Sequence, residues 1–294
     1  MSKKQWEGKS YGTPLGYKIF IFFFKYLGLR FAYLNLTYVV LFFVIKCRRE
    51  RKTIWYYYRQ IHKYGVLRSC AKVYAHFFVF AQTIVDKVAI KYGFAHKFNF
   101  TFENADKAIK MMSEPSGVIF LGAHIGAWEV GAHIFSKYDK TMNVLMVDAE
   151  YQRIKEVVEK TGENSGYNII PINEDSLEAV LRVKKALSDG EIVGIQGDRY
   201  IENSRRKEAE FFGRKADFPQ GPFILASKLK TPVVIYFAMR EKMSYNFIFK
   251  YIDNNEGLSA KEYEEKIFTE YIAFLEDTVK RYPQQWFNFY SFWK

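Results

Sequence analysis

Cysteine is scarce in this chain: Cys47 and Cys70 are the only two in 294 residues, they share no Cys-x-x-Cys spacing, and no histidine falls in metal-ligand register with them. That excludes a disulfide framework and a zinc site, so no metal or cofactor is expected and a reducing compartment is the default. Glycine- or proline-rich linkers, internal repeats and low-complexity tracts are also lacking. One folded unit behind an N-terminal segment is the simplest organisation. The N-terminal apolar zone carries Lys18, Lys25 and Arg30 and shows no small-residue cleavage pattern, so it does not read as a cleaved signal peptide.

Acidic residues are in deficit. Lys plus Arg number 44 against 32 Asp plus Glu, a net charge of +12 at pH 7. Such a balance calls for an anionic partner: nucleic acid, an anionic membrane surface or an acidic carrier protein. The basic residues are scattered at Lys3-Lys4, Arg48–Lys52, Lys184-Lys185 and Arg205–Lys207. They form no groove-reading motif, which counts against nucleic acid.

Aromatics, by contrast, are abundant, with 28 Phe and 22 Tyr. From Tyr17 to Ile45 the chain is almost wholly aromatic and aliphatic, and Cys47 leads directly into Arg48-Arg49-Glu50-Arg51-Lys52. Leu27 to Ile45 is close to the ~20 residues needed to cross a bilayer. Arg30 and Asn35 lie inside it, and charge in lipid is costly. A helix on or in the inner leaflet, with its basic cluster against anionic headgroups, fits better than a span. The alternative is a buried helix of the domain itself. Residues 1–52 are accordingly read as a membrane-associated segment and 53–294 as the domain.

Apolar periodicity stays helical from Thr53 to about Tyr92. Beyond Phe98, apolar runs at Val118–Leu121, Val144–Val147, Ile169–Ile172, Ile192–Ile195 and Val233–Phe237 predict buried strands. Helical patterns at Val130–Tyr138, Tyr151–Glu163, Ser176–Ser188, Gly221–Lys228 and Ala260–Lys280 alternate with them. That order predicts an α/β fold with a mainly parallel central sheet flanked by helices. Asp175-x-x-Glu178 and Ser259-x-x-Glu262 have the spacing of capping boxes.

Gly122-Ala123-His124-Ile125-Gly126-Ala127-Trp128-Glu129 follows the first of these strands and opens a helical stretch. Open α/β sheets place their sites at such carboxyl ends. With His124 in the turn and Glu129 in the first turns of the helix, the carboxylate can fold back onto the imidazole. There it fixes the tautomer and leaves the other nitrogen free to take a proton. A histidine that merely caps the helix is the competing reading.

A second glycine turn bearing charge is Gly194-Ile195-Gln196-Gly197-Asp198-Arg199. Then follow Phe211-Phe212-Gly213-Arg214, Asp217-Phe218-Pro219-Gln220-Gly221-Pro222, and a final block, Tyr282-Pro283-Gln284-Gln285-Trp286-Phe287-Asn288-Phe289-Tyr290. In this order the blocks resemble the bacterial lipid A biosynthesis acyltransferases, the late lauroyl and myristoyl transferases. That family belongs to the lysophospholipid/glycerolipid acyltransferase superfamily. The resemblance extends to the N-terminal Gly28-Leu29-Arg30-Phe31-Ala32-Tyr33 run.

The resemblance implies a membrane-associated acyltransferase with His124 and Glu129 as catalytic dyad. The base deprotonates an acceptor hydroxyl, which attacks an acyl thioester supplied by acyl carrier protein or acyl-CoA. Gly197, Asp198 and Arg199, with Phe212, Gly213 and Arg214, match the family's further motifs and are implied in substrate binding. Arg199 either polarises or positions substrate, or ties a salt bridge to Asp198. The setting implied is the cytoplasmic face of a bacterial inner membrane, with a lipid acceptor in that membrane. The last block departs from the family pattern, since aromatics at Phe287 to Tyr290 stand where a histidine-arginine pair is usual. The acceptor implied is therefore a lipid A precursor-like lipid or another bacterial lipid alcohol or amine. No nucleophile elbow stands between a strand and a helix, which favours direct transfer over an acyl-enzyme. The competing classes are a non-enzymatic lipid-surface binder and a lipid hydrolase using the same dyad.

Overall fold

In a computed structural model of the chain, residues 14–135, 140–147, 167–172, 176–200, 204–253 and 257–294 are described. The expected helix over 151–163 and the Asp175–Glu178 capping box lie outside them, in whole or in part. The strands are β1 (Asn99–Glu103), β2 (Val118–Gly122), β3 (Met142–Val147), β4 (Asn168–Ile172), β5 (Ile192–Gln196), β6 (Arg206–Phe211), β7 (Arg214–Pro219), β8 (Val233–Glu241) and β9 (Ser244–Ile252). The described helices are α1 (Pro14–Lys46), α2 (Arg48–Tyr56), α3 (Val66–Lys91), α4 (Asp106–Ser113), α5 (Trp128–Phe135), α6 (Ser176–Ser188), α7 (Gly221–Lys228) and α8 (Ala260–Arg281).

Seven strands form one sheet in the order β1-β9-β8-β2-β5-β3-β4. The five that read as apolar runs are parallel neighbours, with β2 central between β8 and β5. Helices cover both faces, so these strands need apolar residues on every side, and all five residues of β2 are buried. β9 turns back antiparallel to β8 and carries β1 beside it. β6 and β7 make a separate hairpin. These last four strands alternate or lie at edges, and a search for continuous apolar runs passes over them.

One face packs α4 and α5 over Phe120, Tyr236 and Phe247; the other packs α6, α7 and α8 over Ile119, Ile195 and Phe237. α3 serves both, giving Val73 and Phe77 to one core and Val85 and Ala89 to the other. The Ser259–Glu262 capping box is present at the start of α8, with both reciprocal bonds made.

The helix expected from Thr53 to Tyr92 is interrupted. A π-turn over Tyr57–Ile61 follows α2, and the chain restarts only at Val66, after left-handed Lys63 (φ 55°). The break lets Tyr57 and Tyr58 both point inward, each hydroxyl donating to the Pro283 carbonyl at 3.2 Å. It also places the 52/53 boundary inside α2. Much of the aromatic surplus is spent in this region: Trp286 meets Phe211, Phe292 and Trp293 edge-to-face with centroids 4.9–5.7 Å apart.

α1 bends at Gly28, where φ is 79°. Past the bend, Ala32, Leu36 and Val40 are buried, while Leu34, Tyr38, Leu41, Phe42 and Ile45 are exposed, as is Leu27 just before it. Tyr26–Lys46 and Val66–Lys91 are each long and apolar enough to cross a membrane, but most of the second helix's window is buried in the protein. α3 is therefore mostly a core helix, while α1 leaves an apolar face exposed.

Candidate active site

β2 and β5 are in parallel register, Gly122 opposite Gln196, so the two chains leave the sheet side by side. The residues that follow are Ala123-His124 and Gly197-Asp198. The Gly197 N–H donates to the Gly122 carbonyl at 2.9 Å, carrying the ladder one step past the strands. Asp198 then reaches His124 with both oxygens. Its Oδ1 lies 2.7 Å from His124 Nδ1, and its Oδ2 accepts the His124 backbone N–H at 3.0 Å. The carboxylate is 1% exposed, whereas the His124 side chain is 22% exposed. Burial works to raise the Asp198 carboxyl, but the His124 ring, its two hydrogen bonds and the Arg199 charge outweigh it and hold the group below the usual carboxylate range.

Two glycines make the close approach possible. A Cβ on Gly197 would lie 2.9 Å from Tyr271 Cζ, and the Tyr271 hydroxyl beneath it donates to the Gly122 carbonyl at 2.9 Å. Gly126 has φ +62°, and a Cβ there would meet the Ala238 carbonyl oxygen at 2.1 Å. Only glycine combines that left-handed backbone with that contact.

The C-terminal block closes the loop from the other side. Phe287 N–H donates to the His124 carbonyl and Gly126 N–H to the Gln285 carbonyl, each at 2.8 Å. Arg199 donates from Nη2 to the Phe287 carbonyl at 2.7 Å, and the Tyr290 hydroxyl donates to the Asp198 carbonyl at 3.2 Å. The backbone of this block and the Tyr290 hydroxyl thus hold the His124 and Asp198 turns, while the Phe287 and Phe289 rings pack on His76 and Phe80 of α3.

The other expected site residues are placed differently. Glu129 is in the first turn of α5, and its carboxylate pairs with Lys87 of α3. The carboxylate on the imidazole is that of Asp198 instead, from the neighbouring strand. Phe212 and Gly213 form the two-residue turn of the β6–β7 hairpin, with φ of 56° and 69°, the doubly left-handed geometry of a tight hairpin. Phe212 N–H donates to Glu276 at 2.7 Å, and Arg214 donates to the Tyr56 hydroxyl at 2.7 Å. This turn meets α2 and α8, and Phe211 joins it to the C-terminal block, its ring 5.4 Å from that of Trp286, which bridges Ile125 of the His124 loop. Gln285, Tyr271 and Lys87 were not singled out by sequence. Gln285 lies within a block the sequence did mark, Tyr271 is one of many apolar positions on α8, and nothing in the local pattern of α3 marks Lys87.

The chain spells Gly-x-Ser-x-Gly once, at Gly8–Gly12, outside the described residues and with no strand pattern before it. Among the described residues, no three metal-ligating side chains gather. An apolar slit lined by Phe120, Trp128, Met142, Val144 and Tyr236 borders Gly122 and Gln196, and in this conformation it has no room for water. A groove of 590 Å³ between β6 and α8 is lined by none of the residues around His124.

The arrangement offers an imidazole whose Nδ1 is held by an ionised, buried carboxylate and whose other nitrogen, among the described residues, has no hydrogen-bond partner. An imidazole held in this way has the chemistry a general base needs, and it stands at the carboxyl edge of a parallel sheet. The family model described as bacterial lipid A biosynthesis acyltransferase matches residues 69–294, a range that includes His124, Asp198 and the C-terminal block. No curated protein matches the chain.

Proposed function

The chain belongs to the bacterial lipid A biosynthesis acyltransferase family, and on that premise we propose that it moves a fatty acyl chain from an acyl thioester to a hydroxyl or amine of a membrane lipid, with His124 as general base. The observation that carries this reading is the His124–Asp198 pair, 2.7 Å between Nδ1 and Oδ1. Asp198 fixes the tautomer in which Nδ1 bears the proton and Nε2 accepts one. Nε2 takes the proton of the acceptor hydroxyl as its oxygen attacks the thioester carbonyl. A C–O bond forms, the C–S bond breaks, and the same proton passes to the departing sulfur. Asp198 stabilises the imidazolium that exists between these events.

Charge that develops on the carbonyl oxygen needs donors in place beforehand. The first-turn N–H groups of α5, beginning at Trp128, stand four residues past His124 and are the nearest helix N-terminus in sequence. Arg199 donates from Nη2 to the Phe287 carbonyl. On this reading that bond holds the C-terminal block against the loop. A second reading keeps Glu129 as the ring's partner, as the family resemblance implies, and requires the Lys87–Glu129 pair to open. Asp198 already occupies Nδ1, and the first reading needs no rearrangement.

The donor is acyl carrier protein or acyl-CoA, both anionic, which a chain of charge +12 meets favourably. The acceptor is reached from the cytoplasmic face of the inner membrane. There the exposed stripe of α1, from Leu27 to Ile45, lies in the interface and Arg48, Arg49 and Lys52 face anionic headgroups. Phe287 to Tyr290 are turned to packing, which leaves that segment without the cations that a phosphorylated acceptor would engage. The test is lipid profiling by mass spectrometry of cells with and without the gene. A species short of one acyl chain should accumulate in its absence. An unchanged lipid profile together with release of free fatty acid by the purified protein supports the hydrolase instead.

A further inference from the structure

The edge of β8 that faces β2 outlasts its partner. β2 pairs with β8 only from Ile119–Val233 to Leu121–Ile235, while β8 continues to Glu241. Buried strand edges carry N–H and C=O groups that must be paired. Past Ile235 the catalytic loop takes over: Gly126 bridges Ala238, and Ala127 N–H donates to the Ala238 carbonyl at 2.8 Å. At Arg240 the partner is a side chain. Gln285 Oε1 accepts the Arg240 N–H at 2.9 Å, and Gln285 Nε2 donates to the Arg240 carbonyl at 2.8 Å. One amide thus stands in for the missing strand residue.

The same Gln285 offers its backbone carbonyl to Gly126 N–H at 2.8 Å, two residues from His124. Its anchor is itself fixed. Arg240 Nε donates to Asp86 at 2.7 Å, and the fully buried Asp86 also accepts from the Tyr245 hydroxyl at 2.6 Å and from the Tyr33 hydroxyl of α1. The apolar N-terminal helix and the His124 loop are therefore joined through Tyr33, Asp86, Arg240, Gln285 and Gly126.

We propose that Gln285 is a positioning residue for acyl transfer: its amide clamps the end of β8 and its carbonyl sets the Gly126 corner that aims His124. The proposal rests on His124 being the base. Gln285 touches neither substrate nor the reacting atoms, and it acts through the loop. A glutamine that only tied the C-terminal segment down would affect the folded fraction and melting temperature, leaving the His124 ring where it is.

The experiment uses full-length protein with a radiolabelled acyl thioester and anionic phospholipid vesicles that carry the lipid accumulating when the gene is deleted. Gln285→Met keeps length and volume and deletes both amide bonds. It is expected to lower kcat about 10-fold with KM for the donor unchanged, as misplacement of a catalytic group does. The downfield Nδ1 proton of the His124–Asp198 bond should shift or broaden in ¹⁵N-histidine-labelled protein. Gln285→Glu keeps the acceptor for Arg240 N–H and should recover part of the loss. It also serves as the variant of record if Gln285→Met does not fold, and is then expected to show a reduced kcat with a displaced His124 resonance. Native kcat and an unmoved His124 resonance in whichever variant folds overturn the proposal. Full turnover by His124→Ala instead sinks the reading of the site itself, independently of what Gln285 does.

Discussion

Asp198 Oδ1 lies 2.7 Å from His124 Nδ1 although the two residues are 74 apart in sequence. The pairing follows from topology. β2 and β5 run parallel as immediate neighbours and end in register, so the first side chains beyond each strand converge. The helix after β2 leads toward β3 on one side, and the chain after β5 returns to β8 on the other. Loops that part in this way leave a crevice at the carboxyl edge, the usual place for a site in an open α/β sheet.

The two carboxylates near His124 should rank in a definite order. Asp198→Asn is expected to lower kcat by at least ~100-fold, because the amide stabilises neither the correct tautomer nor the imidazolium. Glu129→Gln should cost less than about 10-fold, since its charge is engaged by Lys87. Steady-state kinetics of the two folded variants decide the matter. The reverse ranking assigns Glu129 to the imidazole.

Gly126 tests the loop's geometry. Gly126→Ala places a Cβ 2.1 Å from the Ala238 carbonyl on a left-handed backbone. Backbone must shift to accept it, at a cost of about 1–3 kcal/mol or more. Activity should fall with it, because the bridge to β8 and the Gln285 bond both leave from this residue. Thermal unfolding and kcat measured together check this, and an alanine variant equal to wild type in both rules the corner out as a constraint.

Acid should weaken the fold before carboxylates titrate. His76 is buried, and burial lowers its pKa to about 3, against ~6.5 in an unfolded chain. Between those values the unfolded state binds a proton that the native state refuses. Stability therefore falls as pH drops below ~6.5, by up to ~1.4 kcal/mol per unit for one such group. Asp198 adds its own loss further down: its folded pKa is depressed, so that stabilisation is present above ~3.9 and disappears as pH falls through the lower folded value. Melting temperatures of wild type and His76→Gln at pH 7 and pH 5 should show a shallower decline in the variant. Parallel declines contradict the assignment.

Membrane docking is expected to lie in one stripe. Tyr38, Leu41, Phe42 and Ile45 are exposed on α1, while Ala32, Leu36 and Val40 hold the opposite face to the protein. Replacing Leu41, Phe42 and Ile45 by serine should release the protein from anionic vesicles in a sedimentation assay without changing its melting temperature. Retention on vesicles places the contact elsewhere.

The parts of this structure that were legible in the sequence share a physical cause. Val118–Gly122 and Ile192–Gln196 lie in the covered middle of a parallel sheet, so burial on both faces writes itself as unbroken apolar runs. β9 alternates, as Ser244, Asn246 and Lys250 show, and β1 lies at the edge. Neither leaves such a mark. His124 was visible because glycines around a lone histidine at a strand end are a local signal. Its partner was not: a local window sees Glu129 five positions on, whereas the carboxylate that reaches the ring comes from an adjacent strand. Asp198 stood in a marked turn, but its role depends on strand order, which no local pattern encodes. Gln285 is a further step away, since its importance lies in replacing a strand neighbour for Arg240.

The central claim is that His124 is the base of an acyl transfer at the membrane, and one assay addresses it directly. Purified wild-type protein and a folded His124→Ala variant are incubated with radiolabelled acyl thioester and vesicles of the lipid that accumulates when the gene is deleted. Wild type should move label into that lipid with release of one thiol per acyl group, and His124→Ala should do so at least ~100-fold more slowly. Label transfer by His124→Ala at the wild-type rate contradicts the account.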